Sequence, residues 1–384
     1  MSHTPTTLDD FDVAAVKYRN QRYFGSLDAI RALAILAVIW HHTAEPTSWL
    51  PLSGRGYLGV DLFFVLSGFL IVTLLLREED RDGAINLKAF YARRSLRIFP
   101  LYYAALVAMF AITKVTSGET TQAFTSEWYY HAFYLSNWTE MASFMAISWS
   151  LASEEQFYLV WPPIQRFFGR LILPTFLVLL VVNQMVNFGW IWEAKRAAGW
   201  TLGDATFTPI LLGVGAAYLL HHRYVLLAPI LKWRGTAPGL ALSILIVANA
   251  PSEIPGIVGI HRLTLHILMT LLIIAVAGNE NNGLARSLNR QPLVRFGAIS
   301  YGMYLIHVFV IAIGDQFLGS LSWWNTSFGK FIITLTLTVA AAEVSFRFFE
   351  TPILKQKARL QAFVSHDSTP TPPPPPTADT RVSA

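Results

Sequence analysis

The most informative residues of this sequence are an arginine and a histidine inside its first strongly apolar segment, Leu27–Ala44. On a helix, at about 100° per residue, Arg31 and His42 lie on one stripe, about 16 Å apart along the axis. His41 is rotated from Arg31 by about 80° and matches less well. An arginine in a membrane-length helix is costly and usually faces a polar cavity. The pair predicts a reactive imidazole inside the membrane, with a fixed positive charge nearer one face.

The chemistry expected of His42 is proton abstraction. A neutral imidazole accepts protons near physiological pH, so His42 is the candidate general base for deprotonating a hydroxyl. The alternative interpretation is a core histidine that hydrogen-bonds a neighbouring helix. Arg31 on the same stripe favours the functional interpretation.

A second candidate site is basic. The loop Arg77–Arg97 ends in two arginines three residues apart, Arg94 and Arg97, which are neighbours if a helix starts there. Paired guanidiniums at a helix entrance suit a phosphorylated ligand. The alternative is charge that sets membrane orientation or binds anionic lipid.

Two further stretches carry polar side chains at the ends of apolar segments. Glu154 and Glu155 are predicted near the outer end of a span, where they would form a wall for an acceptor together with Trp149. Glu154 is also a candidate for tuning His42, and the alternative for both carboxylates is an interface cap.

The other stretch places Tyr301, Tyr304 and His307 in one late span, with Tyr304 and His307 on the same face. These three side chains are candidates for a second, substrate-binding wall of the cavity. Hydrogen bonds that pack neighbouring helices together are an equally good explanation.

Composition shows which elements must position these residues. The chain has 384 residues, of which 53% are hydrophobic and 14% are charged, well below the charged fraction of a soluble domain. It has no cysteine, which excludes disulfides and thiolate metal sites, and we predict no metal site. The net charge of +5 fits membrane orientation and does not require a nucleic-acid partner.

The apolar runs predict an all-α integral membrane protein with about ten spans and both termini in the cytoplasm. The domain would be residues 27–350, between a polar cytoplasmic segment 1–26 and a disordered proline-rich cytoplasmic tail, 351–384. Most of the 29 Lys and Arg residues then face the cytoplasm, as the positive-inside rule requires. The aromatic segment Trp128–Ala146 is predicted to lie at the outer interface. The predicted spans are Leu27–Ala44, Tyr57–Arg77, Ile98–Thr116, Ser148–Phe168, Leu171–Trp192, Ala205–His221, Ala237–Ala250, Ile260–Gly278, Phe296–Phe317 and Phe328–Phe349.

Several motifs follow one another over about residues 25–355. They are Ser26–Arg31 followed by His42, Gly59–Ile71, Arg94–Arg97 before Ile-Phe-Pro, Trp149–Tyr158, Ile299–His307 and Phe346–Pro352. Together these motifs resemble the membrane acyltransferase-3 family. The second-helix glycines and Ser67 are expected to pack helices, and His41 departs from the apolar residue that is more usual in the family.

This resemblance implies an enzyme that transfers an acyl group other than an aminoacyl group to a hydroxyl, with acetyl-CoA or another acyl-CoA as donor. The implied acceptor is a carbohydrate such as a cell-surface polysaccharide, and the implied location is the inner cell membrane. We expect His42, Arg31 and Glu154 in catalysis, and Arg94, Arg97 and Arg31 on the donor. The alternatives are a secreted, macrolide-like acceptor, a longer or succinyl donor and, in another class, a transporter.

Overall fold

The computed structural model of the protein describes residues 8–21, 23–44, 54–114, 119–139, 141–188, 207–250, 259–279 and 283–355. All regular secondary structure within these ranges is helical, which confirms the all-α class. Most of the predicted proline-rich tail lies outside the described residues.

The helices are numbered here in chain order. A 3-10 turn, Phe144–Ile147, precedes α6, and a π-helical turn, Phe346–Glu350, follows α15. They are α1 Leu8–Asn20, α2 Gly25–Thr43, α3 Leu58–Asp82, α4 Leu87–Thr113, α5 Glu119–Ala132, α6 Ser148–Phe167, α7 Ile172–Asn187, α8 Phe207–His222, α9 Ala228–Lys232, α10 Thr236–Asn249, α11 Ile260–Gly278, α12 Gly283–Leu288, α13 Gln291–Ala298, α14 Ser300–Leu318 and α15 Ser327–Ser345.

Among the described residues, six helical stretches are long and apolar enough to cross a membrane, and up to eight do so if two bent helix pairs each count as one span. The bent pairs are α1 with α2, at 68°, and α8 continuing into α9, at 114°. The protein is therefore a multi-pass membrane protein. Each predicted span overlaps a helix, but some of these helices are short or polar, so the count of ten stays a prediction.

Helix boundaries differ from the sequence prediction at two places that matter. The segment 1–26 contains helix α1, whose Phe11, Ala15 and Tyr18 are buried against the bundle. Helix α4 begins at Leu87 rather than Ile98, with Asn86 accepting a hydrogen bond from the Ala89 amide as its N-cap. The arginine pair therefore lies inside a helix and not in a loop, because α4 runs unbroken through the basic residues.

Helix α3 is held closely by its neighbours. A Cβ atom on Gly68 would collide with the Ile210 carbonyl of α8, and one on Gly213 with the Val65 carbonyl of α3. Gly59 lies equally close to the Ala34 carbonyl of α2. Small residues permit this backbone contact in membrane bundles. The packing role predicted for Gly59 and Gly68 is thus confirmed, and α2 and α3 are held side by side.

Candidate active site

One polar pocket lies where α2, α3, α4, α6 and α14 meet; its cavity volume is about 90 Å³, and it is partly open to the surroundings. Its polar lining combines three guanidiniums with one carboxylate, hydroxyls and phenols. The lining residues are Arg31, Val60, Phe63, Ser67, Arg94, Arg97, Ile98, Ser150, Leu151, Glu154, Ser300, Tyr301 and Tyr304. We call this set the arginine pocket.

Arg31 enters the arginine pocket from α2. Its Nη1 lies 2.8 Å from Oδ1 of Asp28, one helical turn earlier, and 25% of its side chain is exposed. Oδ2 of Asp28 accepts a 2.7 Å hydrogen bond from the Tyr23 hydroxyl. Both carboxylate oxygens of Asp28 are therefore hydrogen-bonded. Because this carboxylate is held in place, its charge-assisted hydrogen bond orients the guanidinium of Arg31.

Arg94 has the most partners of the three arginines in the pocket. Its Nη2 lies 3.5 Å from Oε2 of Glu154 and its Nε lies 3.6 Å from Oε1 of Glu155. Its guanidinium also sits 3.8 Å from the ring centroid of Tyr158, in cation–π geometry. Glu154 accepts hydrogen bonds from Ser67 at 2.9 Å and from the Tyr158 hydroxyl at 2.8 Å. Both oxygens of Glu154 are therefore engaged with neighbours other than His42.

Arg97 differs from the other two arginines. Its side chain is exposed and lines the same pocket, on the α4 face that carries Arg94 one turn earlier. Among the described carboxylates, none lies within ion-pair distance of its guanidinium. The pocket lining thus has more positive than negative charge, with one cation available to an anionic ligand.

The tyrosines of α14 form the opposite wall. Tyr301 donates a 2.8 Å hydrogen bond to the Ile98 carbonyl, two residues before Pro100 interrupts the hydrogen bonding of α4. The Tyr304 hydroxyl donates to the Ile147 carbonyl at 2.8 Å and lies 2.8 Å from Ser150 Oγ. Both phenols are thus fixed in place, and they join α14 to α4 and to the start of α6.

His42 does not line the arginine pocket. It is exposed near the end of α2, where its ring packs against His307 with centroids 5.1 Å apart. Its Nδ1 lies 2.9 Å from the Val38 carbonyl. A carbonyl only accepts hydrogen bonds, so Nδ1 carries the proton, and the Nε2 lone pair of the neutral ring can act as a base.

Tyr304 connects these two places. Its ring lines the arginine pocket and lies 5.8 Å from the ring of His307, which in turn contacts His42. The placement of Arg31 and His42 on one helix stripe would suit a single cavity lined by both. In the structure His42 does not line the pocket, and the rings of Tyr304 and His307 connect the two places.

The predicted acceptor wall is also distributed differently. Trp149 packs edge-on against Phe64, with ring centroids 5.8 Å apart, and does not line the pocket. Glu155 lies beside Arg94, and its Oε1 is buried without a hydrogen-bond partner. The two carboxylates were predicted to form an acceptor wall at the outer end of a span, whereas in the structure they share Arg94 with the predicted donor site.

Sequence reasoning missed several residues that shape the pocket. Asp28 follows the i, i+3 spacing to Arg31 and Tyr158 the i, i+4 spacing to Glu154, so helix periodicity would have indicated both. Ser150 gives no comparable signal, because its partner Tyr304 is far away in the sequence. Ser67 was assigned to packing, whereas it donates a hydrogen bond to Glu154.

Asp61 lies near the start of α3, close in sequence to Arg55, but its partners are elsewhere. It is 1% exposed and pairs with Arg262 at 3.3 Å and His266 at 3.1 Å. Arg55 donates instead to the Ala248 carbonyl. Asp61 therefore joins α3 to α11 on the side of α3 away from the pocket.

Comparison with known proteins agrees with this arrangement of motifs. The family model for the acyltransferase-3 group, described as an acyltransferase domain, matches residues 24–344. The chain is 29% identical over 377 residues to O-acetyltransferase OatA of Staphylococcus aureus strain NCTC 8325, and equally to OatA of strain COL. These matches cover 91% of this chain but 60% of each relative, so the chain spans about three fifths of their length. No solved structure matches significantly. Since the family model covers most of the chain, including all the residues of the arginine pocket, the chain belongs to the acyltransferase-3 family.

Proposed function

We propose that this protein is a membrane-embedded O-acyltransferase that moves an acyl group from acyl-CoA to a hydroxyl of a carbohydrate acceptor. The observation that carries the proposal is the arginine pocket, where three guanidiniums converge and Arg97 has no carboxylate partner among the described residues. Clustered arginines favour a ligand with several phosphate oxygens, such as coenzyme A. Acetyl is the proposed acyl group, because relatives with 29% identity carry the name O-acetyltransferase.

In this proposal the donor binds from the cytoplasmic side of the inner cell membrane. Arg94, Arg97 and Arg31 contact its phosphates, and Glu154 and Glu155 hold Arg94 in position. The carrier arm then extends about 16 Å along α2, the axial distance from Arg31 to His42. The thioester must pass Tyr304 to reach His42. The hydrogen bonds of the Tyr304 hydroxyl to the Ile147 carbonyl and to Ser150 therefore break in the binding step, so that this side chain can move.

His42 is the proposed general base. Its Nε2 removes the proton from the acceptor hydroxyl, and the resulting oxygen attacks the thioester carbonyl. The carbon–sulfur bond breaks, and the thiolate of coenzyme A takes the proton from His42. The acceptor approaches the exposed end of α2 from the outer face, near Tyr304, His307 and Trp149. Proximity accounts for a large part of the expected rate enhancement.

The test uses the purified full chain in lipid nanodiscs with acetyl-CoA labelled in the acetyl group. The expected result is label in an alkali-labile ester on an acceptor hydroxyl, with release of free coenzyme A. Parallel reactions with succinyl-CoA and a longer acyl-CoA identify the donor, and polysaccharide fragments compared with a macrolide identify the acceptor class. If none of the acyl-CoA donors is consumed with any acceptor, the proposed function is wrong.

The membrane arrangement has its own test. Single cysteines placed near the two ends of the chain and beside His42 exploit the natural absence of cysteine. In oriented vesicles, an impermeant maleimide added outside should label the site beside His42 and leave both termini unlabelled. Labelling of one terminus alone would contradict an even number of spans, and labelling of both would contradict their location in the cytoplasm.

A further inference from the structure

His307 is an unusual residue for the interior of a helical bundle. It is 0% exposed and sits on α14 with its ring against His42. Its Nδ1 lies 2.7 Å from the Tyr304 carbonyl and 3.2 Å from the Met303 carbonyl, which are both acceptors. Nδ1 therefore carries the proton, and Nε2 of the neutral ring is left as a hydrogen-bond acceptor.

That acceptor has no partner among the described residues. An unsatisfied buried polar atom destabilises a fold, and most buried polar atoms in native proteins are paired. A hydrophobic residue of similar shape would avoid this cost. The unpaired nitrogen instead lies on the ring that directly contacts the proposed base, at a centroid separation of 5.1 Å.

The electrostatic surroundings make His307 a suitable partner for His42. The other titratable neighbours are His41, 5.2 Å from His42, Tyr57, 5.8 Å from His41, and Tyr304, 5.8 Å from His307. No described carboxylate forms an ion pair with either His42 or His307. A protonated His42 therefore lacks the carboxylate that commonly stabilises a catalytic imidazolium.

We propose that His307 is a positioning residue that stabilises the protonated ring of His42 in the absence of such a carboxylate. His42 first removes the acceptor proton, and the acceptor oxygen attacks the thioester carbonyl. Once that oxygen is bonded to the acyl carbon, the new Nε2–H group of His42 donates a hydrogen bond to Nε2 of His307. The bond that breaks is the acceptor O–H bond, and the proton stays on His42 until the thiolate leaves. This inference rests on the proposed function, since it assigns a role within the same reaction.

The matched variants His307→Gln and His307→Asn separate this role from simple packing. The Gln carbonyl oxygen can occupy the position of Nε2 and accept the bond. The Asn amide instead reproduces the Nδ1–H contact to the Tyr304 carbonyl and leaves the Nε2 position empty. We expect kcat to fall at least about tenfold in the Asn variant, the scale of a lost hydrogen bond to a charged group, with KM nearly unchanged.

The Gln variant should keep kcat within about threefold of wild type. The acid limb of the rate–pH profile should move to lower pH in the Asn variant only, because the protonated form of His42 has lost its stabilising acceptor. Equal losses in both variants, or no loss in either, would overturn the proposal.

A second measurement does not depend on acyl transfer. Diethyl pyrocarbonate modifies neutral imidazole, and peptide mass spectrometry gives the rate of modification of His42 between about pH 5 and about pH 8. The pH dependence of this rate should shift in the Asn variant and match wild type in the Gln variant. Identical profiles in all three proteins would refute the role of His307. A shifted profile in a protein that transfers no acyl group would refute the proposed function alone.

Discussion

The arginine pocket and the histidine pair, His42 with His307, differ in how many of their polar atoms have hydrogen-bond or ion-pair partners. In the pocket, Arg31 and Arg94 are held by carboxylates, hydroxyls and an aromatic ring. At the histidine pair, each ring uses one nitrogen for a helix carbonyl and leaves the other without a bond to the described residues. A binding pocket can hold most of its charged side chains in position before the ligand arrives, whereas a group that moves protons needs a free lone pair.

Tyr304 makes the comparison mechanistically useful. It belongs to the pocket through its ring and touches the histidine pair through His307. The two regions are thus adjacent but do not share a lining. Variants in the pocket should act mainly on donor KM, variants in the histidine pair mainly on kcat, and variants of Tyr304 on both.

The largest effect is expected at His42. The substitution His42→Ala should lower kcat at least about a hundredfold, the usual contribution of a general base, with little change in donor KM. His41→Ala is the matched control, and it should stay within about threefold of wild type. Steady-state acyl transfer by purified variants with equal size-exclusion profiles measures both values. If only the His41 variant loses activity, the general base is His41 and not His42.

The pocket should respond with the opposite kinetic signature. Replacing both Arg94 and Arg97 by Gln should raise donor KM at least about tenfold and change acceptor KM little, because two charge-assisted contacts to phosphate are removed. Lys88→Gln removes an exposed charge from the first turn of the same helix and serves as control. An unchanged donor KM in the double variant would show that the two arginines do not bind the donor and serve only to orient the protein in the membrane.

A smaller effect is expected from substitutions at Tyr304 and Ser150, where the arginine pocket adjoins the histidine pair. Tyr304→Phe and Ser150→Ala both remove the 2.8 Å contact between the two hydroxyls, and Tyr304→Phe also removes the hydrogen bond to the Ile147 carbonyl. Each should lower kcat/KM by about threefold, and the double variant should be no worse than Tyr304→Phe alone, because contacting residues are not additive. Fully additive losses would show that the two hydroxyls act independently, and Tyr304 would then not be held by Ser150.

The smallest effect is expected at Ser67, whose hydroxyl donates a hydrogen bond to Glu154. Ser67→Ala removes one hydrogen bond to a carboxylate that still contacts Tyr158 and Arg94. Donor KM should rise by less than about threefold, because the remaining contacts keep Arg94 in place. A tenfold loss of kcat with unchanged donor KM would show that Glu154 acts in the chemical step and not in donor binding.

Sequence reasoning was most successful where a single helix carries the information. The helical class and the placement of Arg31 and His42 on one helix follow from apolar runs and the helical repeat, and the structure has both on α2. The start of α4 was placed too late because apolar character begins at Ile98, whereas the helix begins at the Asn86 cap. Helix α1 was missed because its buried face, including Phe11 and Tyr18, is short and flanked by charges.

The sequence by itself determined that the chain carries a base candidate, an arginine pair and two neighbouring carboxylates on apolar helices, because residue type and helical spacing are local properties. Only the tertiary structure decided that Glu154 pairs with Arg94, that Asp61 pairs with Arg262, and that His307 rather than a carboxylate faces His42. These contacts join distant parts of the chain. They depend on which helices lie side by side, and this is set by close packing at small residues such as Gly68 and Gly213.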